Sequence, residues 1–184
     1  LNVTGTGPFF GQMGVAPHPS LGELSSIVPG TFGGNLDNKM LGPGATLYIP
    51  VNVPGAQFSA GDGHAVQGDG EVSITALETC MQGKFRLTLH KPSAVDPLFK
   101  SITNPRAETA DHFVTMAFDE DLDVAEQIAL LDMLAWMHRL TGVGRTELYR
   151  TASLVADMHI TQVVNGRKGV HLKMPKSVMR SMAE

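Results

Sequence analysis

Glycine and proline are distributed unevenly along this chain of 184 residues, and that distribution limits which folds it can adopt. Before about residue 70 they recur at short intervals, as in GTGPFFGQMG and VPGTFGGN, whereas the region after residue 110 contains few of either. Helices are weakened by glycine and broken by proline. Short strands joined by turns tolerate both, so the first half is predicted to be mainly β, arranged as a sandwich or a barrel.

Short apolar runs separated by turn residues support this prediction. The runs TLYIPVNV (46–53), EVSITALE (71–78) and KFRLTL (84–89) are the predicted strands. Residues 91–110 contain three prolines and show no sustained periodicity, so they are predicted to connect two parts. The expected division is a β-rich region at 1–95 and an α+β region at 96–184.

The second region has the patterns of one strand, two helices and a β-hairpin. DHFVTMAF (111–118) is the predicted strand, and apolar residues at helical spacing between 121 and 140, with acids in the first turn and Gly142 as a stop, predict a long helix. A second helix is predicted at 145–158. Strands at 159–165 and 170–174 around the turn at 166–169 complete a hairpin. Met133, Trp136, Met137 and Leu140 are expected in the core.

Composition excludes several classes of partner. The formal net charge is -4 and the 14 basic residues are scattered, so no nucleic acid partner is expected. The longest apolar run, IALLDMLAWM, is shorter than the roughly 20 residues of a membrane span and is broken by Asp132. Cys80 is the only cysteine, which excludes an internal disulfide and fits a reducing compartment. We therefore expect a cytoplasmic location and no membrane association.

The segment SAGDGHAVQGDGEV (59–72) concentrates the polar chemistry of the first half. Two Gly-Asp-Gly triplets flank His64, and the glycines around Asp62 and Asp69 are predicted to bring the acidic side chains and the imidazole into one turn. Crowded carboxylates repel one another unless a cation lies among them. Three interpretations stay open at this point: a metal site, an acid/base site, or an acidic turn without chemistry.

Glu71 and Glu78 lie at the two ends of the run that follows. If 71–78 is a strand, Glu78 shares a face with Val72, Ile74 and Ala76. A carboxylate beside an apolar face has a raised pKa, as a general acid/base requires, whereas a carboxylate at a strand end is otherwise simply exposed.

Three blocks of the sequence resemble the acetamidase/formamidase family. They are GGNLDNKML (33–41), LYIPVNVPGAQFSAGDGHAVQGDGEV (47–72) and SLVADMHITQVVNGRKGVHLKMPKSV (153–178), and GPFFGQMGVAP (7–17) fits the segment before them. The resemblance runs in order over nearly the whole chain. It implies a β-rich metal-dependent hydrolase with a smaller α/β region, acting on small amides such as formamide or acetamide and releasing ammonia and a carboxylate.

The resemblance also implies which polar side chains form the site. From ligand chemistry we expect Asp37, Asp62 and His64 to bind a divalent metal ion, zinc first and calcium or magnesium as alternatives. The predicted catalytic residues are Asp69, Glu71 and Glu78, with Asp69 or Glu71 as proton carrier. Asn35 and Gln67 are the predicted substrate-binding residues.

The resemblance has one departure, because members of the family carry a substantial amino-terminal part before the block that matches 7–17. The expected partners are therefore an amide substrate and either further copies of the chain, in a homo-oligomer, or an amino-terminal part that is missing here. The activity of this chain alone is left open. The alternative function is a non-catalytic fragment or β-rich binding module, in which the acidic cluster is a structural ion site.

Overall fold

The computed structural model describes residues 7–91 and 102–183. The described strands are β1 (Phe9–Gly14), β2 (Gly33–Asn35), β3 (Thr46–Tyr48), β4 (Ser59–Val66), β5 (Leu77–Glu78), β6 (Arg106–Glu108), β7 (His112–Asp119), β8 (Asp157–Gln162) and β9 (Lys168–Pro175). The described helices are α1 (Leu122–Thr141), α2 (Arg145–Val155) and α3 (Lys176–Ala183), and two short 3-10 turns lie at Pro19–Leu21 and Lys39–Leu41.

These strands form two antiparallel sheets. The first has the order β2-β1-β4-β5, and the second has the order β3-β6-β7-β9-β8. The fold is thus mainly β with an α+β carboxyl-terminal part, as predicted. β3 comes from the first half of the chain but pairs with β6 in the second sheet.

Side chains that alternate along β7 contact the first sheet on one face and the helices on the other. Val114, Met116 and Phe118 contact the first sheet through a cluster that includes Met13 and Leu36. The residues between them face the opposite side, where Ala117 packs on Ala125 and Ala129 of α1 and Phe113 packs on the helical core. Because side chains alternate between the two faces of a strand, the second sheet lies between the first sheet and the helices.

Helix α1 has a capping residue at each end. The Asp121 carboxylate accepts a hydrogen bond from the backbone N–H of Asp123 at 2.8 Å, and Gly142 adopts a left-handed conformation with φ 73° at the other end. Met133, Trp136 and Met137 are buried against α2, α3 and the second sheet, as expected for core residues, whereas Leu140 is partly buried.

A buried ion pair joins α1 to the second sheet. Arg106 on β6 is 1 % exposed and donates from Nε to Asp132 Oδ2 at 2.8 Å and from Nη2 to Asp132 Oδ1 at 2.5 Å. The guanidinium also lies 5.2 Å from the ring centroid of Trp136. Asp132, which interrupts the apolar run of α1, therefore neutralises an arginine that the second sheet buries.

Two predicted strands of the first half are wrong. Residues 71–76 form turns because Glu71 and Ile74 have φ of 42° and 69°, which ends any extended conformation, and only Leu77–Glu78 is a strand. Residues 84–89 form no strand in the structure, and Phe85, Leu87 and Leu89 are exposed. An alternating run becomes a strand only where a neighbouring strand pairs with it. Among the described residues no strand pairs with 84–89, although the ring of Phe85 contacts those of Phe10 and Phe58.

The predicted elements of the second half are present with shifted bounds. The strand, the two helices and the hairpin all form, but α2 ends at Val155 rather than 158, so β8 starts at Asp157. Strand β6, which lies inside the predicted connection, and helix α3 were not predicted. The proposed boundary near residue 95 falls outside the described residues, and the domain division stays a prediction. None of the described helices is both long enough and apolar enough to cross a membrane.

Candidate metal centre

Three buried side chains from separate parts of the chain converge at one end of the two sheets. Asp37 follows β2, His64 lies near the end of β4, and Glu71 ends a segment at 67–71 that runs beside the end of β8. One potential ligand atom of each lies within 4.8 Å of the others. The sequence predicted that Asp62, His64 and Asp69 lie in one turn, but the structure places Asp62 and His64 in strand β4, which pairs with β1.

The orientation of the His64 ring is set by Gln67. The Gln67 amide nitrogen donates to the backbone oxygen of Asp37 at 2.6 Å, which turns the amide oxygen towards His64 Nδ1 at 2.8 Å. Because a carbonyl oxygen only accepts, Nδ1 must carry the proton. Nε2, the other ring nitrogen, lies 3.0 Å from Asp62 Oδ1 and 3.9 Å from Asp37 Oδ1.

One oxygen of the Asp37 carboxylate accepts two hydrogen bonds, and the other accepts none from the described residues. Its Oδ2 accepts hydrogen bonds from the Asn35 amide at 2.9 Å and from the Asn165 amide, which comes from the loop after β8. Burial raises the pKa of Asp37, although the hydrogen bond from Asn165 and the nearby His64 act in the opposite direction. Oδ1 has no hydrogen-bond partner among the described residues.

Glu71 has a strongly altered pKa. Burial, followed by the neighbouring charge of Asp37, raises the pKa of Glu71 to about 8. Its Oε2 atom has no hydrogen-bond partner in the described part of the chain. A hydrogen bond between the carboxyl groups of Glu71 and Asp37 contributes to the raised pKa, so the Glu71 carboxyl is unusually basic and lies against that of Asp37.

All three acidic residues at this centre have a left-handed backbone. The φ angles are 46° at Asp37, 57° at Asp62 and 42° at Glu71. Residues other than glycine seldom adopt such angles, and they concentrate where a site requires a side chain in one direction. The carboxylates are thus directed inward by backbone strain as well as by hydrogen bonds.

Gly11 on β1 provides the space that the carboxylates occupy. A Cβ atom at this position would lie 2.5 Å from Asp37 Oδ1, 2.5 Å from Asp62 Oδ2 and 2.9 Å from His64 Cε1. These distances are far below van der Waals contact. A glycine inside a strand often marks such a close approach, and here the approaching groups are those of the candidate centre.

The donor set fits a divalent cation. Asp37 Oδ1, His64 Nε2 and Glu71 Oε2 are all buried and lack hydrogen-bond partners among the described atoms. Buried polar atoms are seldom left unpaired, and carboxylates that face one another need a metal ion or a shared proton between them. Carboxylate oxygens with one imidazole nitrogen are suitable ligands for zinc.

The other two predicted catalytic residues, Glu78 and Asp69, lie in different surroundings. Glu78 is exposed on β5 opposite His64, and its carboxylate joins Asp62 and His64 in a second possible ligand group. The apolar face expected around it does not exist, since Val72 and Ile74 are exposed. Asp69 instead contacts Lys39 at 2.9 Å and His159 Nδ1 at 2.9 Å.

The charges around Asp69 set its pKa. Burial alone would raise the pKa of Asp69, but the hydrogen bond from Lys39, together with the nearby His171, Lys39 and His159, lowers it overall.

Four residues at or near this centre were missed from the sequence. Gly11 had a recognisable signal, because it lies inside the apolar stretch FFGQMG. Asn165 gave no signal beyond its place after a predicted strand. His159 and His171 were not predicted, because the hairpin as predicted places His171 opposite Val164, whereas the observed register places it opposite His159.

Comparisons with known proteins identify the family of this chain. The sequence model of the Acetamidase/Formamidase family matches residues 22–180, and the chain belongs to this family. A formamidase from Methylophilus methylotrophus is 26% identical over 154 residues, which are 76% of this chain and 38% of that protein.

Solved structures support the fold. An acetamidase from Bacillus halodurans matches 100% of this chain and 59% of its own, with a TM-score of 0.80 and 29% identity. An acetamidase from Yersinia enterocolitica matches 94% of this chain and 49% of its own, with a TM-score of 0.78 and 26% identity. The chain therefore spans less than two thirds of the length of these relatives.

Proposed function

We propose that this chain carries the metal-binding part of an enzyme that hydrolyses small linear amides, such as formamide or acetamide, to ammonia and a carboxylate. The observation that carries the proposal is the convergence of three buried atoms without hydrogen-bond partners among the described residues. Two of them, Asp37 Oδ1 and His64 Nε2, would bind the ion, and the third, Glu71 Oε2, would lie beside it. Membership of the acetamidase/formamidase family supports amide hydrolysis as the reaction.

Asp37, Asp62 and His64 are the residues that would hold the ion, with zinc as the proposed metal. Asn35 and Asn165 hold one oxygen of Asp37 and leave the other free, and Gln67 fixes the ring of His64. A divalent ion bound there would lower the pKa of a coordinated water and polarise an amide carbonyl.

Glu71 is the proposed proton carrier. It lies within the ligand group, and its Oε2 atom has no hydrogen-bond partner among the described residues. Hydrolysis of an amide requires that a proton leave the attacking water and that a proton reach the departing nitrogen, and one carboxyl group can perform both transfers in turn. Glu78, exposed beside Asp62 and His64, is the second candidate.

Asn35 and Gln67, predicted to bind substrate, are better explained as positioning residues. The Asn35 amide donates to Asp37, and the Gln67 amide is engaged with His64, the Asp37 backbone and, at 3.4 Å, the Thr161 backbone. Side chains that hold ligands in place are often needed for full metal affinity.

Ammonia release from formamide and acetamide, measured with and without a chelator, tests the proposal. We expect turnover that chelation abolishes and zinc restores, and Asp37→Asn should lower it by at least about a hundred-fold because a ligand is lost. Asparagine tolerates the left-handed backbone at this position, so the fold should survive. The control is Asp111→Asn, at an exposed position away from the centre.

Two results would contradict the proposal. Activity that persists without metal would remove the metal mechanism. A metal-loaded chain whose melting temperature falls on chelation but which hydrolyses no amide would favour the alternative, a structural ion site that ties the loop after β2 to strand β4.

Association with further copies or with an amino-terminal part stays a prediction. Phe85, Leu87 and Leu89 are 42%, 68% and 64% exposed in a segment that forms no strand, which is consistent with a surface that another segment covers. Sedimentation velocity over a range of concentrations measures self-association directly. A monomer at every concentration would contradict the homo-oligomer.

A further inference from the structure

A second cluster of potential ligands lies beside the candidate metal centre. It consists of Asp69 from the 67–71 segment, His159 on β8 and His171 on β9. The two histidines are directly opposite each other in the antiparallel pair, and their rings are stacked with centroids 5.0 Å apart and an interplanar angle of 5°. None of these residues belongs to the ligand set of Asp37, Asp62 and His64.

Both imidazoles of this cluster have an unused nitrogen. His171 is fully buried, its Nδ1 lies 2.8 Å from Thr161 Oγ1, and its Nε2 has no hydrogen-bond partner among the described residues. His159 Nε2 is likewise buried and unpaired within that part of the chain. Since buried polar atoms are normally paired, two such atoms on stacked rings require an explanation.

We propose that Asp69, His159 and His171 form a second divalent-metal site, of the kind that binds zinc or cobalt, and that the Lys39 ammonium competes with the ion for Asp69. Two imidazoles with one carboxylate are a common ligand set for these metals. The site is independent of the amidase proposal, because it uses other residues and needs no substrate.

The three side chains are close together, but an imidazole binds a metal in the plane of its ring, so the two parallel rings must tilt towards each other to share an ion. His159, which is partly exposed, is the ring that can turn. One ligand atom from each residue lies within 4.8 Å of the others, and tetrahedral ligands of zinc are roughly 3.4 Å apart, so the side chains need to approach by about 1 Å. Thr161 restrains the ring of His171, as residues behind metal ligands usually do. Burial lowers the pKa of His171 to about 3, which keeps that ring neutral and able to coordinate.

The cluster is open to solvent on one side, where Lys39 also lies. The side chains of Asp69 and His159 are 24% and 28% exposed, so an ion can enter from solvent. Lys39 Nζ lies 2.9 Å from Asp69 Oδ2, where it supplies the positive charge that a metal would replace. Such an ion would join the 67–71 segment of the first half to the hairpin of the second.

Metal stoichiometry and cobalt absorption of the purified chain test this site. We expect two equivalents of Co²⁺ per chain in the wild type, and one in His159→Gln and in Asp69→Asn, with the loss of one visible absorption component. Lys39→Met should tighten the second equivalent about ten-fold because a competing cation is removed. His18→Gln, at an exposed position far along the chain, is the control for loose surface binding.

The outcome is separable from that of the amidase proposal. His64→Gln should remove only the first equivalent, so a wild type that binds one ion, lost in His159→Gln but kept in His64→Gln, supports the second site even if the first fails. Unchanged stoichiometry in both His159→Gln and Asp69→Asn, with folded protein by circular dichroism, would overturn the second site. Unchanged affinity in Lys39→Met would overturn the competition.

Discussion

Replacing Gly11 with alanine is expected to lower zinc affinity at the candidate centre, and amide hydrolysis with it, by about a hundred-fold. The new methyl group would lie 2.5 Å from a carboxylate oxygen of both Asp37 and Asp62, so these ligands would have to move. Asp37 cannot move freely, since two asparagine amides hold its other oxygen. The backbone of Gly11 is not left-handed, so the effect should come from the displaced ligands alone.

Gly61→Ala is the matched control for this experiment. Gly61 lies on the neighbouring strand β4, also without a left-handed backbone, and a Cβ there would meet only Gln12 Oε1 at 3.3 Å. Zinc affinity measured by competition with a coloured chelator and ammonia release from formamide should fall in Gly11→Ala and change little in Gly61→Ala. A Gly11→Ala protein that keeps wild-type affinity would show that Asp37 and Asp62 do not hold the ion together.

Replacing Asp132 with alanine is expected to lower the free energy of unfolding by about 3–5 kcal/mol. The substitution removes both hydrogen bonds that the buried Arg106 guanidinium makes to this carboxylate and leaves an uncompensated charge in the core. Denaturation by urea, followed by circular dichroism, measures the change. Gln127→Ala, on the exposed side of the same helix, should change stability little.

A double replacement separates the cost of a stranded charge from the value of the ion pair. Arg106→Met with Asp132→Leu removes both charges and keeps apolar volume between β6 and α1, so it should recover most of the stability lost in Asp132→Ala. If the double variant is less stable than Asp132→Ala, the ion pair and the contact of Arg106 with Trp136 stabilise the fold more than an apolar pair at the same positions.

Those parts of the fold that depend on local pattern were predictable from the sequence. The helix α1 follows from its apolar spacing and from Asp121 and Gly142 at its ends, and the hairpin of β8 and β9 follows from two apolar runs around a turn. The strand predicted at 71–78 failed because its alternation has no covering neighbour, and Val72 is 84% exposed. Strand formation depends on such neighbours, which a single sequence does not display.

The candidate site was also only partly predictable from the sequence. Asp37, Asp62, His64 and Glu71 were named from the sequence because a compact motif and a family resemblance point to them, and their ligand roles stay predictions. Asn165 reaches Asp37 from 128 positions along the chain, and that contact exists only because the loop after β8 meets the loop after β2. The separation of Asp69 from the other acids also depends on tertiary contacts, with Lys39 and His159.

The left-handed angles at Asp37, Asp62 and Glu71 place stability and function in opposition at the same three residues. Each angle costs on the order of 1 kcal/mol, which glycine would recover without loss of the backbone path. Glycine would also remove the carboxylate through which each of these residues is proposed to act. Selection for stability alone would therefore replace these acidic residues. Acidic residues kept at the three positions in related chains would indicate selection for activity.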